Sequence, residues 1–105
     1  MIVEQRTYTL YPGKQAEFVK AYTEFGLKSQ TAILGNMVGW YTTEVGELNQ
    51  VIHMWGYVSF EDRLARRAKL MQDPEFQKYL AAVRPLMIKQ ENKILMPAPF
   101  FKVPG

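Results

Sequence analysis

The chain has 105 residues, 48% hydrophobic and 22% charged, with thirteen Lys plus Arg against ten Asp plus Glu and a net charge of +3. That balance excludes a disordered polymer, and the lack of cysteine excludes disulfides, thiolate metal sites and cysteine nucleophiles. No apolar run approaches the ~20 residues of a membrane span, and the one basic cluster, Arg63, Arg66, Arg67 and Lys69, carries no nucleic-acid-binding motif, so neither membrane nor nucleic acid is expected as a partner.

A single domain over residues 1–105 is expected, able to bury about two-thirds of its unfolded surface. Strand-like alternation starts at Met1-Ile2-Val3, which leaves no space for a signal peptide and makes a cytoplasmic protein the expectation.

Val3 to Tyr11 alternate and are rich in Thr and Tyr, predicting a strand that Pro12-Gly13 ends as a turn. Phe18, Tyr22 and Phe25 then recur at helical spacing, and Leu27, Thr31 and Leu34 continue it beyond Gly26, where a kink or break is expected. Gly35-Asn36 closes this helix. Met37 to Val45 and Gln50 to Val58 read as strands joined by the turn Gly46-Glu47-Leu48-Asn49, a hairpin. Ser59 with Asp62 three residues on is a capping pattern for a helix reaching about Gln72. Asp73-Pro74 restarts a helix, with Asp as N-cap and Pro at its first position, striped by Phe76, Tyr79, Leu80 and Val83. Pro85 ends it, Met87 to Met96 form the last strand, and Pro97 onward is an extended tail.

The order βαββαβ, with unknotted right-handed connections, predicts a ferredoxin-like α+β fold: a four-stranded antiparallel sheet with both helical segments on one face and the last strand at an edge. In the third strand, Ile52, Met54, Gly56 and Val58 form one face and Val51, His53, Trp55 and Tyr57 the other, and both are mostly apolar. If the second set faced water, Trp55 and Tyr57 would forgo several kcal/mol at about 25 cal/mol per Å². A second copy is therefore expected to shelter Trp55, giving a homodimer with a cavity between sheets; the alternative is a monomer whose tail, Phe100 and Phe101, folds back over that face.

Five residues are candidates for ligand binding: Arg6, Tyr8, His53, Trp55 and Tyr57. His53, the only histidine, is the candidate general base, because its charge changes near neutral pH; the competing reading is a hydrogen-bonded core histidine. With no second ligand near it in sequence, neither a metal nor a cofactor is expected. Arg6 and Tyr8 share a face of the first strand and could approach the third across the sheet. An arginine in an aromatic cavity favours an anion; the alternative is a structural ion pair with Glu4, Glu44 or Glu91. Arg63, Arg66 and Arg67 fall on one helical face, read as solvated.

Glu4-Gln5-Arg6-Thr7-Tyr8-Thr9-Leu10 followed by Pro12-Gly13-Lys14 resembles the opening of NIPSNAP proteins, and Leu48-Asn49-Gln50-Val51-Ile52-His53-Met54-Trp55 their third strand. Asp73-Pro74-Glu75-Phe76 and Arg84-Pro85-Leu86 are similar to their later helix, with Phe76 where many relatives have Trp, and Lys93 to Phe100 to their close. The resemblance spans the chain from first strand to tail. It implies a dimeric α+β barrel, a superfamily that includes cofactor-independent monooxygenases, haem-degrading enzymes and isomerases, but it brings no agreed activity, and the fold supplies none. Two readings follow: a homodimeric module binding a small molecule, anionic or aromatic, or a protein; and a small monooxygenase-like enzyme using the aromatic cavity.

Overall fold

The computed structural model describes all 105 residues, Met1–Gly105. Strands β1 (Ile2–Leu10), β2 (Asn36–Thr42), β3 (Gln50–Tyr57) and β4 (Met87–Leu95) form one antiparallel sheet in the order β2-β3-β1-β4. Helices α1 (Gln15–Ala21) and α2 (Leu27–Leu34) connect β1 to β2, and α3 (Phe60–Met71) and α4 (Pro74–Val83) connect β3 to β4. This is the ferredoxin-like α+β arrangement, with β4 at an edge as its prolines anticipate. No helix is long and apolar enough to cross a membrane.

Local chemistry sets the boundaries. The Ser59 hydroxyl accepts from the Asp62 amide at 3.1 Å and starts α3, and the Asp73 carboxylate accepts from the Phe76 amide at 2.9 Å with Pro74 opening α4. Each satisfies an amide that the first helical turn leaves without a partner. Gly35 ends α2 at φ 90°, in the left-handed region that disfavours a side chain.

The faces of the sheet are assigned opposite to the sequence expectation. Ile2, Glu4, Arg6, Tyr8 and Leu10 of β1 lie beside Val51, His53, Trp55 and Tyr57 of β3, with Arg6 opposite His53 and Glu4 opposite Trp55, and all are buried. What buries them is the chain's own helical layer: Phe18, Tyr22, Leu34, Leu70, Phe76, Tyr79 and Val83 pack with them into one core. Trp55 is fully buried, which at its size contributes about 4–6 kcal/mol. It therefore needs no second copy, and the tail does not cover it. The tail instead lies over the opposite face, where Val103 is buried and the Asn36 side-chain amide donates to the Pro104 carbonyl at 2.8 Å.

Between α1 and α2 the chain makes a π turn, Tyr22–Gly26, rather than breaking. Buried positions then recur every fourth residue: Phe18, Tyr22, Gly26, Gln30 and Leu34. An α-helix advances 3.6 residues per turn, so a strict four-residue spacing drifts off the core face. The wider π turn resets the phase and brings Gln30 inward. Gly26 is required there, because a Cβ would stand 2.9 Å from Tyr22 Cδ1 and 3.1 Å from Tyr79 Cδ1.

Candidate functional site

Beneath the sheet lies a cluster of charges that a hydrophobic reading of the core would not place there. One oxygen of Glu4, Oε2, accepts from Arg6 Nη1 at 3.0 Å, from Arg63 Nη2 at 2.6 Å and from Asn92 Nδ2 at 3.3 Å; the other, Oε1, is sealed from solvent without a partner. Burial pushes the Glu4 carboxyl up, but the hydrogen bond from Arg63 and the charges of Arg6, Arg63 and Arg67 outweigh it and hold the group below its ordinary value. Arg6 donates through Nε to the Tyr8 hydroxyl at 2.7 Å. Its pairing with Glu4 and its position at a cavity wall coexist, so the two alternatives posed for Arg6 do not compete.

Arg63 and Arg67, one helical turn apart on α3, point under the sheet, contrary to the solvated face expected of them. The Arg63 side chain is only 14% exposed and bonded to Glu4. Arg67 makes no hydrogen bond within the chain, and its Nη1 is shut off from solvent. Burial and then repulsion from Arg6 lower its pKa. Arg66 alone turns outward to Asp62, at 2.9 Å. The interior thus holds one carboxylate against three guanidiniums.

A cavity of about 180 Å³ opens beside this cluster, between β1, the edge strand β4 and helices α2, α3 and α4. Its polar lining is Arg6, Arg67, Arg84, Gln30 and Gln90, with no carboxylate among the lining residues. Gln30 is 2% exposed and its carbonyl oxygen accepts from the Tyr22 hydroxyl at 2.6 Å, leaving its amide NH2 as a donor. Tyr8, Met71, Phe76, Tyr79, Leu80 and Met87 complete the wall. Arg84 and Gln90 are solvent-exposed and stand at the mouth.

Of the five sequence candidates, Arg6 and Tyr8 line this cavity and His53, Trp55 and Tyr57 do not. His53 is 1% exposed; its Nδ1 accepts from Trp55 Nε1 at 2.7 Å and its Nε2 has no partner. Burial, with the charges of Arg6 and Arg67, pushes its pKa down to about 3. It is a neutral core histidine stacked on Trp40 and edge-on to Tyr8, outside the lining of this cavity. Tyr57 is likewise buried, its hydroxyl unpartnered and pushed up to about 12, by burial first and then by Glu4. Sequence reasoning missed Gln30, Arg67, Arg84 and Gln90. The four-residue recurrence from Phe18 to Leu34 could have exposed Gln30, and the pairing of Arg63 with Arg67 at i, i+4 could have exposed Arg67.

Strand order, helical layer and interior cluster define a ferredoxin-like α+β protein with a pocket enclosed within one chain. The same fold occurs in an antibiotic biosynthesis monooxygenase, with a TM-score of 0.66 over 94% of this chain and 100% of the other, at 8% identity, a likeness of fold alone. Residues 3–102 match the NIPSNAP family model, and the chain belongs to the NIPSNAP family. A NIPSNAP family protein from Agrobacterium tumefaciens is 44% identical, with a TM-score of 0.90 over 94% of each chain. A NIPSNAP-like domain protein from Burkholderia xenovorans is 42% identical, with a TM-score of 0.93 over 98% of this chain and 90% of that one. The mouse NipSnap homolog 3B is 35% identical over 95% of this chain, which spans 40% of that relative's length.

Proposed function

We propose that this chain is a binding module for a small anionic molecule, held in the cavity between the helices and β1–β4, and that it works as a homodimer joined through the open face of the sheet. The observation that carries the ligand reading is the cavity's lining: three arginines and two glutamines with no carboxylate. Arg67 in particular is a half-buried guanidinium without a hydrogen bond, and such a charge is costly until an anion meets it. Ligand pockets combine apolar walls with a few convergent polar groups, and this one is so built.

The homodimer is supported by a different surface from the one the sequence suggested. Val3, Val38, Met54 and Leu95 on the open face, with the tail residues Phe100 and Phe101, frame an apolar groove of about 470 Å³. Phe100 is 92% exposed.

A monooxygenase-like enzyme has the fold likeness behind it but no observation at the site: His53, its candidate base, has no access to the cavity. Native mass spectrometry of the protein as purified tests the binding reading. A retained small acidic molecule, lost on Arg67→Met, is the expected result; a species that carries no ligand and is unchanged by anion titration counts against it.

A further inference from the structure

The geometry points to a monocarboxylate with a compact apolar body, aryl or branched alkyl, as the ligand class of this cavity. The inference rests on the reading of the cavity as an anion site and narrows it. Uncommitted donors line the cavity. Arg6 uses Nε on Tyr8 and Nη1 on Glu4, leaving Nη2 uncommitted; Arg67 is uncommitted altogether, and the Gln30 amide NH2 joins them at the inner wall. Guanidinium groups match a carboxylate's planar pair of oxygens.

The apolar part of the lining decides between carboxylate and inorganic oxyanion. Phe76 and Leu80 from α4 supply it together with Met71 and Met87, none of which carries a side-chain donor, and the Phe76 ring lies tilted against that of Tyr79 at 5.3 Å. Phosphate or sulfate carries oxygens in every direction, and those turned toward these residues would lose their water without gaining a donor. A monocarboxylate carries its charge at one end and offers carbon to these apolar residues. Size agrees as well: an apolar cavity of about 150 Å³ accommodates benzene, and this one, at about 180 Å³, leaves space for a ring with a carboxylate attached.

The test is a calorimetric titration of the full chain with acetate, benzoate, benzyl alcohol and inorganic phosphate. Affinity is expected to rise at least tenfold from acetate to benzoate. Benzyl alcohol is expected not to bind measurably, and phosphate not to displace benzoate. Arg67→Met should weaken benzoate at least tenfold, while Lys78→Met, in an exposed pair with Glu75, should leave it unchanged. Folding of each variant is checked by its thermal melt, and Arg67→Lys, which keeps the charge, should retain part of the affinity.

Phosphate binding as tightly as benzoate, or acetate matching benzoate, would overturn the carboxylate-with-apolar-body assignment while leaving the anion site standing. Benzyl alcohol matching benzoate would overturn the anion site itself. Absence of binding by every probe would remove both.

Discussion

Arg6 and His53 face each other directly across the β1–β3 ladder, yet they share no hydrogen bond. Arg6 turns along its own strand to Tyr8 and Glu4, and His53 turns along its own to Trp55. The pair divides the interior: on the Arg6 side are charges and the cavity, on the His53 side a dry aromatic cluster. The cation opposite is also one reason the imidazole stays neutral.

That neutrality fixes a pH dependence. His53 is lowered from 6.5 to about 3, so between those values the unfolded chain binds one proton more than the folded chain, and stability falls as pH falls. The slope is about 1.4 kcal/mol per pH unit well below 6.5, or about 2 kcal/mol between pH 7 and pH 5. Urea denaturation at the two pH values should show that loss in the wild type and much less of it in His53→Asn, whose side-chain oxygen can still accept from Trp55.

Glu4 governs a lower window. Its folded pKa lies below its ordinary 4.5, so its stabilisation is fully present above 4.5 and disappears as pH falls through the lower folded value. Glu4→Gln leaves Arg6 and Arg63 under the sheet without their carboxylate and should cost about 3 kcal/mol at pH 7, measurable as a lower urea midpoint. A change under 1 kcal/mol would mean that the guanidiniums find other partners.

Gly26→Ala sets two effects against each other. Alanine gains about 1 kcal/mol in intrinsic helix preference, but its Cβ would press on Tyr22 and Tyr79 at 2.9 and 3.1 Å, and overpacking of this kind costs about 1–3 kcal/mol. Because both neighbours are buried rings, steric cost should win, giving a lower melting temperature. A rise would show that the rings can move aside.

For the homodimer, sedimentation should give about twice the 12.2 kDa chain mass. Met54→Glu, on the open face, should return the chain to monomer without altering its far-ultraviolet spectrum. A monomeric wild type at micromolar concentration would remove the dimer and leave the intrachain cavity untouched.

Element order, caps and the βαββαβ topology were legible in the sequence because they are local: Ser59, Asp73-Pro74 and Gly35 each act within a turn of chain. The identity of the inner sheet face was not. Alternation sorts Val51, His53, Trp55 and Tyr57 from Ile52, Met54 and Gly56, but both sets are apolar enough to be interior, and Glu4 and Arg6 argue by polarity for the wrong side. Only the helical layer, whose Phe18, Tyr79 and Leu70 pack into one core with Trp55, decides it. The inward turn of Arg63 depends in the same way on a partner, Glu4, some sixty positions away in sequence. Arg6 and Tyr8, candidates from the sequence, line the cavity; Gln90 joins that lining only through the pairing of β4 with β1, and Arg84 from the turn just before β4.

The π turn separates architecture from chemistry. A π turn takes up one residue more than an α turn, and an α-helix rotates about 100° per residue, so winding Tyr22–Gly26 as α-helix with no residue removed would swing everything from Leu27 to Leu34 around the helix axis by about that angle. The strands would keep their order, while the amide of Gln30 left the chamber and another side chain took its wall. The winding of this single turn is therefore a dial that sets which side chains face the chamber, independently of the order of the strands.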